Sequence, residues 1–230
     1  MTEKLFPTGC RQEHITISSI PGIASFNVRA SLVDAASPFV FVDSSTMPII
    51  WHEQDGDSAA SLDIIEAIRR EGAVKMSLAR DIHSAGLVRG TPKIAILSPS
   101  KYLNDQASEG AVPDISVTSY SMGKVHPSFQ VTGAVCLAAA VCVPGTVAAD
   151  LASTNLFYYS PPDTPPEFSK EGPGLEVCPV DRRVTIAHST GQISADVKVI
   201  RRSDGEVEVQ SVSVSRTARR LFKGVVFVSL

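Results

Sequence analysis

The sequence predicts an α+β fold in which mostly antiparallel strands surround one buried helix. Three observations carry that prediction. Short apolar or alternating runs crowd both ends of the chain, one clearly amphipathic helix lies between them, and a segment apolar nearly all round (Thr132–Val143, T-G-A-V-C-L-A-A-A-V-C-V) has the pattern of a helix inside a core.

The elements follow in chain order. Residues 14–18 alternate, and Ser25–Val33 puts Phe26, Val28, Ala30 and Leu32 on one face. Pro38–Val42 is a short apolar run suited to a strand buried on both sides. Asp57 and Ser58 offer an N-cap to a helix carrying Leu62, Ile65 and Ile68, with Gly72 positioned to stop it and residues 73–82 adding further helical turns. Lys93–Leu97 and Ile115–Tyr120 are the next strands. The apolar helix then runs to a stop at Pro144-Gly145, and 160–179 is a proline-rich irregular loop. Strands at 183–187, 193–200 and 206–215 follow, with a last apolar piece at 224–228. Residues 1–12 are linker-like, 13–215 form the domain, and 216–230 close the chain.

Composition excludes several function classes. With 43% hydrophobic residues, 20% charged residues and a net charge of -3, nothing asks for nucleic acid or an anionic membrane. Arg182–Lys223 holds nine Lys/Arg against four Asp/Glu, a local excess that a solvated strand face or an anionic ligand would explain. No run is long enough for a membrane span, and Met1–Pro7 has no signal-peptide core. The four cysteines (Cys10, Cys136, Cys142 and Cys178) have neither zinc-site spacing nor disulfide-scaffold density. A reducing, cytoplasmic protein with no metal is expected. The sequence holds no GxSxG, Walker loop or HExxH, which argues against hydrolase and nucleotide-binding chemistry.

The residue chemistry concentrates between Ser121 and Gly133. A buried helix beginning at Thr132-Gly133 presents amides without intrahelical acceptors, and its dipole favours an anion there. Gly133 would allow close approach and the Thr132 hydroxyl would add a donor; the competing reading is that Thr132 merely caps the helix. His126 could pair with a carboxylate or move a proton, or could simply close a turn. Lys124 and Ser128 are carboxylate contacts or surface residues. Ser121 and Met122 line the cleft or, for Met122, pack. Cys136 and Cys142, six apart on the helix, read as small hydrophobes. His188-Ser189-Thr190-Gly191 is a strand-to-strand turn with a possible ligand contact.

Five segments in register resemble the PrpF family of the diaminopimelate-epimerase-like superfamily. They are Lys4-Leu5-Phe6-Pro7-Thr8-Gly9, Leu32–Val42 (L-V-D-A-A-S-P-F-V-F-V), Pro92-Lys93-Ile94-Ala95, Ser121-Met122-Gly123-Lys124-Val125-His126 with Thr132-Gly133-Ala134, and Ser215–Leu221 with Gly224. The resemblance implies a β-roll of antiparallel strands around a central helix, one of two pseudo-symmetric domains whose cleft holds the active site. It implies an isomerase that shifts a proton across a short unsaturated di- or tricarboxylate without any cofactor. The family's acid–base cysteine and lysine belong to a domain ahead of the linker-like segment, so this chain is expected to be catalytically incomplete. Its alternative role is a non-catalytic polycarboxylate-binding or interaction module. The resemblance brings Ser37 to the site, where the family usually has Asn. Gln130 stands where the epimerases carry a cysteine. The closing segment, with Leu221, Val225 and Phe227, would pack on the first domain, so a homodimer or a dependence on a first-domain partner is expected.

Overall fold

The computed structural model describes residues 4–18, 20–100, 112–152, 178–202 and 206–215. Within them a curled nine-stranded sheet has two buried faces, each covered by a different helix. Its strands are β1 (Glu13–Ile17), β2 (Phe26–Asp34), β3 (Pro38–Asp43), β4 (Lys93–Pro99), β5 (Ile115–Ser121), β6 (Lys124–Val125), β7 (Cys178–His188), β8 (Gly191–Arg201) and β9 (Val207–Ser213). The order is β1-β2-β3-β4-β5-β7-β8-β9, with the short β6 hydrogen-bonded to β5. Neighbours are antiparallel except β3–β4 and β5–β7, which are parallel. Parallel neighbours need a crossover. Between β3 and β4 it is made by the short α1 (Ile49–His52), by α2 (Ala59–Lys75) and by α3 (Ile82–Leu87).

Two apolar cores result. On one face α2 lays Ile64, Ile65 and Ile68 against Val28, Ala30, Leu32, Val40, Val42, Ile94 and Ile96. On the other, α4 (Val131–Val141) packs Ala134, Leu137, Ala138 and Val141 against Phe39, Phe41, Ala95, Leu97, Ile115, Val184, Ile186, Ala195 and Val197. Strands β3 and β4 are therefore buried on both sides, which is why their sequences are continuous apolar runs rather than alternating ones. The alanines of α4 let strands approach from several directions, and its completely buried residues are the core of the roll.

Differences from the sequence reading have local causes. Helix α2 does not stop at Gly72 but continues to Lys75. Gly72 is there because a Cβ would stand 2.5 Å from Val40 Cγ2 on β3, so the residue serves close helix–sheet packing. The central helix begins one residue earlier than Thr132. After it, Thr146 caps an unanticipated short helix, α5 (Val147–Leu151), and its hydroxyl also lies 2.7 Å from the Ala140 carbonyl. Strand β7 starts at Cys178, inside the range read as a proline-rich loop; the rest of that loop and the closing segment 216–230 lie outside the described residues. Residues 4–12 lie against the domain: Leu5 and Phe6 touch the α4 core, and the Leu5 carbonyl accepts the Asp34 amide at 2.9 Å. No helix among the described residues is long and apolar enough to cross a membrane.

Candidate functional site

The start of α4 is built differently from those of α2, α3 and α5. Ser58, Asp81 and Thr146 each cap their own helix with a side-chain oxygen, at α2, α3 and α5. At α4 the N-cap is Gln130, and its side chain makes no cap bond. Instead Gln130 Oε1 accepts the Ser119 hydroxyl at 2.8 Å, while its Nε2 is buried with no partner among the described residues. The first intrahelical bond is donated by Ala134 to the Gln130 carbonyl (2.9 Å). The amides of Val131, Thr132 and Gly133 precede it and have no acceptor within the helix. An anion is the natural complement of such an end.

Thr132 is therefore not the cap; it sits in the first turn, half-buried. Gly133 is buried, and the direction its Cβ would take is filled by aromatic rings: Phe129 Cε2 at 2.7 Å and Phe39 Cζ at 2.8 Å. The lack of a side chain there serves packing, which corrects the reading that it opens room for a ligand. Ser37 lies in the loop between β2 and β3, pinned to the same helix by Cys136. That thiol donates to the Ser37 carbonyl (3.1 Å) and accepts the Ala36 amide (3.4 Å). Cys136 and Cys142 are both buried, and burial pushes the Cys142 thiol up to about 11.

The segment leading into α4 is held from two sides. The His126 amide donates to the Ser119 carbonyl (2.8 Å), and His126 Nδ1 lies 2.6 Å from the Ser128 carbonyl, closing a tight turn. Nδ1 also lies 3.3 Å from the Ser128 amide, so this nitrogen is engaged within the turn whichever tautomer the ring holds. From the β7–β8 hairpin, the hydroxyls of Ser189 and Thr190 donate to the Pro127 carbonyl at 2.8 and 2.9 Å. The hairpin thus buttresses the turn that precedes the helix.

Ser121, Met122 and Lys124 belong to the β5–β6 hairpin. Met122 (φ 54°) and Gly123 (φ 76°) form its two-residue tip, both in the left-handed region that such tight hairpins require. Met122 is 62% exposed, so it does not serve as core packing. Lys124 is also exposed.

Strand register joins this hairpin to the helix start. Phe39 pairs with Lys93, Ile94 with Tyr120, and Ser121 with Lys124, so the ends of β3, β4, β5 and β6 that carry these residues lie side by side. Paired residues share a face. Phe39 belongs to the α4 core, and its ring carries Lys93 Nζ at 5.8 Å from the centroid. The ring that Gly133 abuts is therefore the ring beneath the Lys93 ammonium. Lys93 escaped the sequence reading because β3 and β4 are parallel and 49 residues of crossover separate them. The one available signal was a lysine at the entrance of an otherwise apolar strand.

Comparisons with known proteins agree with this architecture. Residues 1–157 match the family described as PrpF protein. Over 230 residues the chain is 29% identical to a 2-methyl-aconitate isomerase of Shewanella oneidensis, covering 97% of this chain and 50% of that protein. It is 28% identical over 201 residues to a (4E)-oxalomesaconate Delta-isomerase of Novosphingobium sp. (strain KA1), covering 86% of this chain and 45% of that one. The crystal structure of a methylitaconate-delta-isomerase superposes with a TM-score of 0.64 at 24% identity, over 96% of this chain and 50% of that one. That likeness establishes the diaminopimelate-epimerase-like fold. The chain spans about half the length of the curated relatives it matches.

Proposed function

Because the chain belongs to the PrpF family, we propose that it is the anion-holding half of an isomerase for a small unsaturated di- or tricarboxylic acid of the 2-methylaconitate, cis/trans-aconitate, methylitaconate or oxalomesaconate type. The observation that carries the proposal is the start of α4, where three amides precede the first intrahelical bond and the N-cap side chain is committed to Ser119. Removing a proton from carbon next to a carboxylate pushes negative charge onto that carboxylate. Fixed donors aimed at its oxygens stabilise the enolate-like state, and losing one such donor costs roughly 10²–10³ in rate. In this reading Thr132, Gly133 and Val131 supply the donors, with Ser37, Ser121, Lys124 and Ser128 as further carboxylate contacts. The groups that take and return the proton come from the other half of the protein, with His126 Nε2 the candidate within this chain. The reaction as read needs no cofactor, and the free thiols suit a cytoplasmic setting.

A second reading is a polycarboxylate-binding module without turnover. Proton NMR of cis-aconitate in D2O, run with the chain alone and together with the other half of a PrpF-family isomerase, separates the two. Deuterium wash-in or trans-aconitate above the buffer background supports the isomerase. Saturable binding without wash-in transfers support to the module, and neither binding nor wash-in overturns both.

A further inference from the structure

At the end of the roll where β4 starts and β5 ends, Leu87, Val88 and Met122 are 75%, 58% and 62% exposed. They are neighbours. A Cβ on Gly90 would stand 3.8 Å from Met122 Sδ, and one on Gly123 would stand 3.5 Å from Arg89 Nη1, so the 87–90 loop lies against the Met122–Gly123 turn. A single exposed apolar residue is ordinary, whereas a group held side by side on a fixed support marks a contact surface. The support here is fixed. Arg69, only 4% exposed, donates to the carbonyls of Ala85 (2.8 Å), Val88 (3.2 Å) and Thr91 (3.2 Å), pinning both flanks of the loop that carries Arg89.

The other flank of the turn is acidic. The Asp57 carboxylate accepts the Val125 amide at 3.1 Å, and a Cβ on Gly56 would stand 3.5 Å from Val125 Cγ2, so the loop that carries Asp55 and Asp57 lies against β6. Asp55, Asp57 and Arg89 are all exposed, and none of them takes part in an ion pair among the described residues. An apolar turn thus separates an arginine without an anion from two carboxylates without a cation. We infer that this face binds a second copy of the chain, turn against turn about a two-fold axis, so that Arg89 of each copy meets the Asp55–Asp57 loop of its partner. A two-fold interface has to be self-complementary, and a face with base on one side of its centre and acid on the other is. Its apolar centre and charged rim have the usual anatomy of such a contact. An unlike partner would not require both signs of charge on this one face.

The test is sedimentation velocity of the full chain over a concentration series. A monomer–dimer equilibrium is expected for wild type and equally for the control Leu78→Asp, because Leu78 is exposed beyond the far end of α2. Leu87→Asp and Met122→Asn should each raise the dissociation constant at least about 30-fold, as loss of a central apolar contact in both copies implies. Both variants keep the fold: Leu87 is largely exposed, and Asn tolerates the left-handed backbone at position 122. Arg89→Glu and Asp55→Arg should each weaken self-association, and an equimolar mixture of the two should restore it as a heterodimer with both charge contacts reversed. A wild-type monomer at every concentration overturns the inference, and so does a dimer indifferent to Leu87→Asp and Met122→Asn. A charge-swapped mixture that stays dissociated overturns it too. A wild-type monomer that instead binds the other half of a PrpF-family isomerase, and no longer does so as Leu87→Asp, assigns the face to that half and overturns the second copy. None of these outcomes touches the anion reading of the α4 start, which ligand binding measures.

Discussion

Gln130→Asp gives the helix start a cap of its own and so sets stability against binding. An Asp at the N-cap accepts an amide of the first turn, worth about 1 kcal/mol. Its charge adds about 0.3–1 kcal/mol through the helix dipole. The substitution forfeits the Ser119–Gln130 hydrogen bond, about 1 kcal/mol, and removes a buried amide nitrogen that has no partner among the described residues. The sum is a protein as stable as wild type or more stable by about 1 kcal/mol, read as an unchanged or higher urea midpoint. Binding moves the other way. The new carboxylate occupies the donors and repels an incoming one: two unit charges about 4 Å apart at an effective dielectric of about 20 interact by about 4 kcal/mol. Tricarballylate affinity, measured by calorimetry, should fall by more than about 100-fold. A variant that is folded, no less stable, and binds as wild type does would refute the reasoning, because the capped amides could not then be what holds the ligand.

Further outcomes follow from the same geometry. Gly133→Ala drives a methyl group to within 2.7–2.9 Å of the Phe129 and Phe39 rings, and Phe39 is stacked on Phe41 at 5.2 Å, so the rings have little room to yield. Overpacking of about 1–3 kcal/mol outweighs the helix-propensity gain of about 1 kcal/mol, so the melting temperature should fall by several degrees; a rise would show that the rings are elsewhere. At Glu66, burial raises the carboxyl pKa, but hydrogen bonds and charge from Arg69 and Arg70 outweigh it and hold it below its ordinary value. A lowered folded pKa means stability that is full above the unfolded value and is lost as pH falls through the folded one. Glu66→Gln should therefore be less stable than wild type by about 1–3 kcal/mol at pH 7 and flatter in its acid limb, which urea titrations from pH 7 to pH 3 would measure. Iodoacetamide at pH 8 should modify the exposed Cys10 while sparing Cys136 and Cys142 until denaturant is added, as peptide mass mapping would detect.

Much of the fold was legible because burial writes itself into residue order. The Phe26, Val28, Ala30 and Leu32 face of β2 is the face turned to α2, and the apolar Thr132–Val143 run is the buried helix. What could not be read was tertiary. Gly72 has the signature of a helix stop, and only the neighbouring Val40 explains why the helix runs through it. The same holds for Gly133, whose small size answers to Phe39 and Phe129 rather than to a ligand. The candidate site was half visible. Thr132 and the Ser121–His126 stretch are contiguous in sequence, so a local motif exposes them. Lys93 reaches the Phe39 ring beside the helix start only through the parallel β3–β4 register. No local pattern encodes that relation. The role of Gln130 as an N-cap that does not cap was likewise invisible, because it depends on where the Ser119 hydroxyl lies.

The most direct measurement is a tricarballylate titration of the nitrogen-15-labelled chain, followed at the amides of Val131, Thr132 and Gly133. Large, saturable shifts are expected at these three positions, with a common dissociation constant and displacement by cis-aconitate. Silence at all three, in a folded protein whose other amides report binding elsewhere, would contradict it.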